Sequence, residues 1–400
     1  MSGGTFFEKL LNGQQAAWMT LKEVAEYSTA RIDATKVDET TFVGVDNLVA
    51  DKGGRVDATY LPNTARLTAY DTGDILIGNI RPYLKKIWRA THSGGCSGDV
   101  LAIRTRGTPL ASLDTRYLYY ALSSDGFFAY NMQHAKGAKM PRGDKAAIMD
   151  YEIPIPCPDE PEISLIIQDE IVRILDNFTE LTAELTAELT ARKKQYGYYR
   201  DQLLRFEKTK VEWKTLGDIA ELRRGRVISR EYLANNKGEY PVYSSQTANN
   251  GEIGTIDTFD FDGEYINWTT DGANAGTVFY RNGKFSITNV SGLIKISNPK
   301  KLNYRFLFHW LSIEAKKHVY AGMGNPKLMS NQVARISVPI PSITEQTRII
   351  AILDQFDTLT QSLTEGLPRE IELRQKQYAH YRDLLFDFPR PAADGVSPRT

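Results

Sequence analysis

Apolar residues recur at helical spacing through the middle of the chain: Ile171, Ile174, Leu175 and Phe178, then Leu181, Leu185 and Leu189, then Tyr196, Tyr199 and Leu203. That period predicts one long amphipathic helix. Its centre, Leu181-Thr182-Ala183-Glu184-Leu185-Thr186-Ala187-Glu188-Leu189-Thr190-Ala191, reads a four-residue unit twice and begins it a third time. Successive four-residue apolar steps behave as an insertion in a heptad pattern, which keeps a seam continuous while locally unwinding a supercoil. Ala, Leu and Glu are strong helix formers and Thr is only mildly unfavourable, so a unit can be added or removed without breaking the helix. The tetrads read as a ruler.

The pattern around this helix occurs twice. Trp18-Met19-Thr20-Leu21-Lys22-Glu23-Val24-Ala25-Glu26 returns as Trp213-Lys214-Thr215-Leu216-Gly217-Asp218-Ile219-Ala220-Glu221. Gly137-Ala138-Lys139-Met140-Pro141 leads to Ile153-Pro154-Ile155-Pro156, and Gly322-Met323-Gly324-Asn325-Pro326 leads at the same spacing to Val338-Pro339-Ile340-Pro341. Each is followed by a helical run, in which Gln168 and Ile174-Leu175-Asp176-Asn177-Phe178 match Gln346 and Ile352-Leu353-Asp354-Gln355-Phe356. Lys194-Gln195-Tyr196 and Tyr199-Arg200-Asp201 likewise match Lys376-Gln377-Tyr378 and Tyr381-Arg382-Asp383. The second helix lacks the tetrads and carries Gly366-Leu367-Pro368-Arg369-Glu370, which predicts a break near Gly366. Phe7-Glu8-Lys9-Leu10-Leu11 resembles Arg200-Asp201-Gln202-Leu203-Leu204, so a fragment of the repeat stands at each chain end, as in a circular arrangement.

Within each globular segment, runs such as 74–80 and 276–280 are strand-like, and short helices are expected at 20–27, 115–122 and 304–311. The expected fold class is α/β: two mixed α/β domains separated by a long antiparallel pair of helices, with a pseudo-twofold internal repeat. Packed side by side, helices of about 40 residues would make a rod roughly 60 Å long with a globule at each end. The boundaries are 1–15 (N-terminal piece of the circular repeat), 16–158 (first globule), 159–208 (central spacer helix), 209–341 (second globule), 342–388 (C-terminal spacer helix) and 389–400 (a Pro-rich, disordered tail).

Composition narrows the function classes. The chain has 400 residues, enough for two or three domains, and 42% hydrophobic content is that of a globular protein. It carries no run of about twenty apolar residues and no signal-peptide pattern, which points to a cytoplasmic chain without a membrane partner. Cys96 and Cys157 are its only cysteines, too few for a disulfide framework or a cysteine-ligated zinc. With 49 Lys+Arg against 49 Asp+Glu the formal charge is zero, so any basic surface has to be local.

Phosphate-loop, zinc-protease, dinucleotide and amino-methyltransferase signatures are all missing from the sequence. Positive charge interleaved with aromatics does concentrate at Arg81-Pro82-Tyr83-Leu84-Lys85-Lys86-Ile87-Trp88-Arg89, followed by Arg104 and Arg106. That mixture suits a phosphate-facing or base-reading surface. A solvated loop with Tyr83 and Trp88 in the core is the alternative. In the second globule Arg223-Arg224-Gly225-Arg226 is basic, and Tyr243-Ser244-Ser245-Gln246 and Asn267-Trp268-Thr269-Thr270-Asp271-Gly272 are polar, turn-prone runs able to reach base edges. The candidate DNA contacts are Arg81, Tyr83, Lys85, Lys86, Arg89, Arg104, Arg223, Arg224, Arg226, Tyr243, Ser244, Gln246, Thr270 and Lys327. No catalytic or metal-ligating residue is assigned.

Over nearly its whole length the chain resembles the specificity subunits of type I restriction-modification systems. The tetrad helix, Arg192-Lys193-Lys194-Gln195-Tyr196 with its second copy, and the Gly366 to Glu370 stretch are most similar to the IC group. Ile80-Arg81-Pro82-Tyr83-Leu84-Lys85-Lys86 with Gly95-Cys96-Ser97, and Tyr240-Pro241-Val242-Tyr243 with Asp271-Gly272-Ala273 and Thr288-Asn289-Val290, resemble segments of the family's target recognition domains. The resemblance implies a non-catalytic subunit on double-stranded DNA. Each globule would read half of an interrupted asymmetric site, and the helices would set the gap and dock two methyltransferase subunits, which restriction/translocase subunits join. It implies no cofactor in this chain; S-adenosylmethionine, ATP and Mg belong to the partners, and base extrusion for methylation would be their task. Two other readings remain, a coiled-coil assembly scaffold without DNA contact and a single-chain enzyme with an unrecognised site.

Overall fold

The computed structural model describes residues 16–106, 112–320, 324–362 and 365–390. The expected N-terminal repeat fragment, the last ten residues of the tail and Gly322-Met323 lie outside them. The chain divides into two compact units, Met1–Leu185 with Ile371–Thr400, and Thr186–Glu370. The fold class is the expected one, mixed α/β with two sheet-rich units. No helix among the described residues is long and apolar enough to cross a membrane.

In the first unit a four-stranded antiparallel sheet runs in the order Ala25–Tyr27, Val100–Thr105, Ile75–Gly78, Ile87–Arg89. The second unit repeats it as Ala220–Arg224, Ser291–Ile296, Tyr265–Thr269, Val278–Arg281. Both units also hold a two-stranded ladder that ties the repeated Trp segment to the repeated Pro-x-Pro segment, Ala16–Thr20 with Glu152–Pro156 and Glu212–Thr215 with Ser337–Ile340. The units diverge in their other four-stranded sheet. Each contains a strand paired in parallel on one side, Phe42–Val43 on Gly94–Cys96 and Tyr240–Tyr243 on Lys284–Ile287. The remaining strand is added beyond Arg66–Tyr70 in the first unit and beside Tyr240–Tyr243 in the second, so the two copies end on different edges.

The helix expected over 20–27 is a single turn. Leu21–Val24 and Leu216–Ile219 are each closed by a reciprocal cap, Thr20 with Glu23 and Thr215 with Asp218, before the chain turns extended at Ala25 and Ala220. Ladder pairing to Val100–Thr105 and Ser291–Ile296 overrides the local helical pattern there. The helices at Thr115–Leu122 and Tyr304–Glu314 form as expected, the second extending to Glu314.

The long helix is continuous from Pro161 to Leu203, 43 residues. Along the tetrads Leu181, Leu185 and Leu189 are half-buried while the Ala and Glu residues between them are exposed, so the four-residue stripe is real. The start of this helix and the start of the later helix Ile343–Gln361 are anchored in the same way, one in each unit. Gln168, fully buried, accepts from the Asp114 N–H at 2.9 Å and donates to the Ser112 carbonyl and Ser164 Oγ. Gln346, also fully buried, accepts from the Asn303 N–H at 2.8 Å and donates to the Lys301 and Pro341 carbonyls. Around them Ile167, Ile171, Val172 and Leu175 complete the first core and Ile349 and Leu353 the second. Further along, Phe178 stacks on Tyr381 in the first unit, and Tyr196 and Tyr199 pack against Phe356 in the second.

The expected break is present. One helix runs Ile343–Gln361 and the next begins at Gly366. Gly366 has φ +79°, and a Cβ there would collide with the Thr358 carbonyl oxygen, so the turn requires glycine.

Candidate nucleic-acid interface

Side-chain partners sort the candidate contacts. In the first unit Arg81 opens a short turn at φ 53°, followed by Pro82–Leu84. Arg81 is exposed and makes no side-chain hydrogen bond or ion pair with the described residues, and Tyr83 is 50% exposed. Their neighbours are committed to the fold. Lys85 Nζ lies 2.8 Å and Lys52 Nζ 2.9 Å from Asp125 Oδ1. Burial works to raise the Asp125 carboxyl, but hydrogen bonds from Lys85 and Lys52 more than offset it and hold the group below the usual carboxylate range. Lys86 Nζ donates to the Val45 carbonyl at 2.7 Å.

Arg104 bridges Asp71 and the buried Asp74, at 2.9 and 2.7 Å. Arg89 is half-buried on the strand Ile87–Arg89. Lys85, Lys86 and Arg104 are therefore held by partners within the unit rather than offered as free charge. Trp88 is partly buried against a small core of Val43, Leu48 and Tyr70, while Tyr83 stays out, so the loop reading holds for the tryptophan alone.

In the second unit three candidates bond to residues 288–290. Arg224 donates to the Asn289 carbonyl, Thr288 Oγ1 to Ser244 Oγ at 2.9 Å, and the Thr270 N–H to the Val290 carbonyl at 3.1 Å. Thr270 is fully buried, its hydroxyl on Asp271, which removes it as a base contact. Gln246 is half-buried and bonded within its own loop. Its Nε2 donates to the Glu252 carbonyl and, with the 2.9 Å bond from the Ser244 N–H to the Gly251 carbonyl, closes the neck of a loop. The exposed tip of that loop is 247–250, which the sequence reading did not single out. Arg223 is paired with Glu221 at 2.7 Å and Arg226 with Asp260 at 2.9 Å, both exposed pairs worth little to stability.

Arg281 was also missed. It is 3% exposed, yet no carboxylate is bonded to it among the described residues. Its guanidinium lies 3.5 Å from the Tyr243 ring centre and 4.5 Å from that of Phe279, and Nη2 donates to the Asn250 carbonyl at 2.7 Å. Burial pushes it down to about 10, still cationic at neutral pH. Ring faces and an amide dipole replace a counter-ion. The loop it holds places Asn249 (φ 48°), Asn250 (φ 52°) and Gly251 (φ 84°) in the left-handed region, where Asn and Gly are the residues best tolerated.

His309 stands beside Asp354 and Asp357, a combination of groups able to ligate metal ions. His309 presents Nε2 to Asp354 at 2.7 Å and Nδ1 to Asp357 at 3.9 Å, so the carboxylates bracket opposite edges of one ring. Arg305 Nε also reaches Asp354, at 3.2 Å. A single ion cannot take both ring nitrogens, and a guanidinium already neutralises Asp354, so the group fits an ion-paired helix junction and not a chelate.

The description "Type I restriction modification DNA specificity domain" matches residues 17–192 and again 209–373. The chain is 35% identical over 424 aligned positions to the EcoR124I/EcoR124II specificity subunit of Escherichia coli, covering 98% of this chain and 99% of that protein. It is 48% identical over 205 residues to the MpnII specificity subunit of Mycoplasma pneumoniae, covering 49% of this chain and 62% of that one. In fold it is similar to a type I restriction-modification S subunit from M. genitalium, with TM-score 0.56 and 16% identity over 95% of this chain and 98% of that one. The two family matches fall on the two structural repeats, and the Escherichia coli alignment spans both. The chain belongs to the type I restriction-modification DNA specificity family, as a subunit that supplies sequence specificity and not catalysis.

Proposed function

We propose that each unit reads one half of an interrupted, asymmetric DNA sequence. In this reading the long helix and its C-terminal counterpart form an antiparallel spacer that sets the gap, as the resemblance to the IC group suggests. The spacer also docks two methyltransferase subunits, to which restriction/translocase subunits are added. S-adenosylmethionine, ATP and Mg²⁺ act in those partners. The observation that carries the reading is that the anchoring parts of the two units repeat, down to Gln168 and Gln346, while their outer sheets and exposed loops differ. Two identical readers would suit a palindrome; two different faces on a repeated frame suit two unrelated half-sites.

The test exchanges residues 213–338 for the corresponding segment of a relative and sequences the methylome produced with the partner subunits. One half of the methylated sequence should change and the other persist. A hybrid that altered both halves would refute independent readers, and an assembly without sequence-selective DNA binding would leave only a scaffold.

A further inference from the structure

The two units carry equivalent hairpins, the second closing over one residue more than the first. In the first, Arg142 exchanges backbone hydrogen bonds with Lys136 at 2.8 and 2.9 Å and bridges to Ile80. In the second, Lys327 exchanges them with Tyr320 at 2.8 and 3.0 Å and bridges to Asp271. The flanking bonds correspond one by one. The Arg81 N–H donates to the Pro141 carbonyl as the Gly272 N–H does to Pro326, at 2.7 and 3.0 Å. The Gly143 N–H donates to the Asn79 carbonyl as the Leu328 N–H does to Thr270, at 3.1 and 2.9 Å. Asn79 and Thr270 in turn donate to Asp99 and Val290, at 2.8 and 3.1 Å. Arg142 and Lys327 thus occupy one structural position, each directly after a proline.

The side chains bonded around this position differ. Where the first unit has Arg81 and Lys136, the second has Gly272 and Tyr320. A residue that read bases would differ between readers of different half-sites. A cation kept at one register in two dissimilar readers suits what every duplex offers alike, the phosphate backbone. The charges are available. Arg142 is 54% exposed and 3.4 Å from Asp99, and Lys327 is 53% exposed and 3.8 Å from Asp271. Long, solvated pairs of this kind contribute little, so trading the carboxylate for a phosphate costs little.

From this we infer that Arg142 and Lys327 are equivalent phosphate anchors, one per half-site, that seat each unit on the duplex while other residues read its bases. The inference rests on the proposal that both units bind DNA. Arg142→Ala and Lys327→Ala remove only side chains beyond the main-chain ladder, so folding is preserved. In the assembled methyltransferase complex, titrated with its methylated site at several salt concentrations, each variant should lower the slope of log affinity against log salt by about one unit, and the double variant by about two.

Equivalently, the wild type's advantage over each single variant should shrink about threefold between about 50 and about 200 mM salt. The methylated sequence should be unchanged, and Arg142→Lys and Lys327→Arg should restore the slope. Variants that bind with the wild-type slope would overturn the assignment, as would a variant whose methylated sequence changes, since that residue reads bases. A wild-type complex with no salt-dependent DNA binding would instead sink the reading of both units as DNA binders, and the anchors with it.

Discussion

Inserting one further Thr-Ala-Glu-Leu unit after Leu189 tests the ruler. The tetrads lie inside an unbroken 43-residue helix, with Leu181, Leu185 and Leu189 half-buried at steps of four and exposed Ala and Glu between them. Four residues add about 6 Å of rise and about 40° beyond a full turn, and they prolong the leucine stripe in its own period. The inserted residues are good helix formers with nothing buried but one leucine, so the helix should persist. One base pair advances a duplex by about 3.4 Å. The rise thus exceeds one base-pair step and falls just short of two. A tilt of the spacer against the duplex axis shortens its projected length, which favours the smaller step. The insertion should leave both half-site sequences intact and lengthen the unspecified gap by one base pair, and deletion of a tetrad should shorten it or abolish activity. Methylome sequencing of the insertion variant decides the matter. An active variant with the original gap would refute the reasoning and make the tetrads filler.

The buried glutamines and the buried arginine give two more predictions. Gln168→Leu strands the Asp114 N–H and the Ser112 carbonyl, and Gln346→Leu strands the Asn303 N–H and the Lys301 and Pro341 carbonyls, each at a cost of about 2–4 kcal/mol. Hydrogen exchange should show faster opening at Asp114 alone for the first and at Asn303 alone for the second; protection unchanged in either would mean that the amide anchors nothing. Arg281→Met keeps the stem under Tyr243 but releases the Asn250 carbonyl, so base preference in one half-site should relax by about tenfold with the other half unchanged. An unaltered preference would show that the loop at 247–250 does not read DNA.

What the sequence made legible is what local pattern controls. Helical period located the long helix, and glycine followed by proline located the break at Gly366. The two Trp-Thr-Leu segments aligned the repeats because each must build the same ladder and the same capped turn. Long-range pairing was not legible. No periodicity tells whether an outer strand adds beyond Arg66–Tyr70 or beside Tyr240–Tyr243, since both edges offer the same backbone groups. Charge was legible as type but not as availability. Lys85, Lys86 and Arg104 stood in a basic run, and their partners Asp125, Val45 and Asp74 come from other elements. Arg142 could have been found from sequence, because a basic residue follows the repeated proline in both halves, Pro141-Arg142 and Pro326-Lys327. Arg281 could not, since only the fold places it beneath Tyr243.

The junction of each globule with its helix shows how far the repeat is allowed to drift. Asp114 and Asn303 cap equivalent helices, and Arg116 and Arg305 stand two residues on in both. Tyr120 and His309 follow at the same spacing, and each contacts the matched aspartate, Asp176 or Asp354, at 2.5 and 2.7 Å. A phenol and an imidazole are different groups, yet both carry a planar ring with a polar edge at the depth where the helix carboxylate needs a partner, so the substitution preserves the bond while changing the residue. The reading faces obey no such constraint. Arg81 against Gly272 and Lys136 against Tyr320 change charge and size at equivalent backbone positions. Frame positions conserve an interaction, and the face positions other than Arg142 and Lys327 conserve only the backbone that presents them. Specificity in this chain is therefore best sought where the two units disagree, and its duplex-holding charge where they agree.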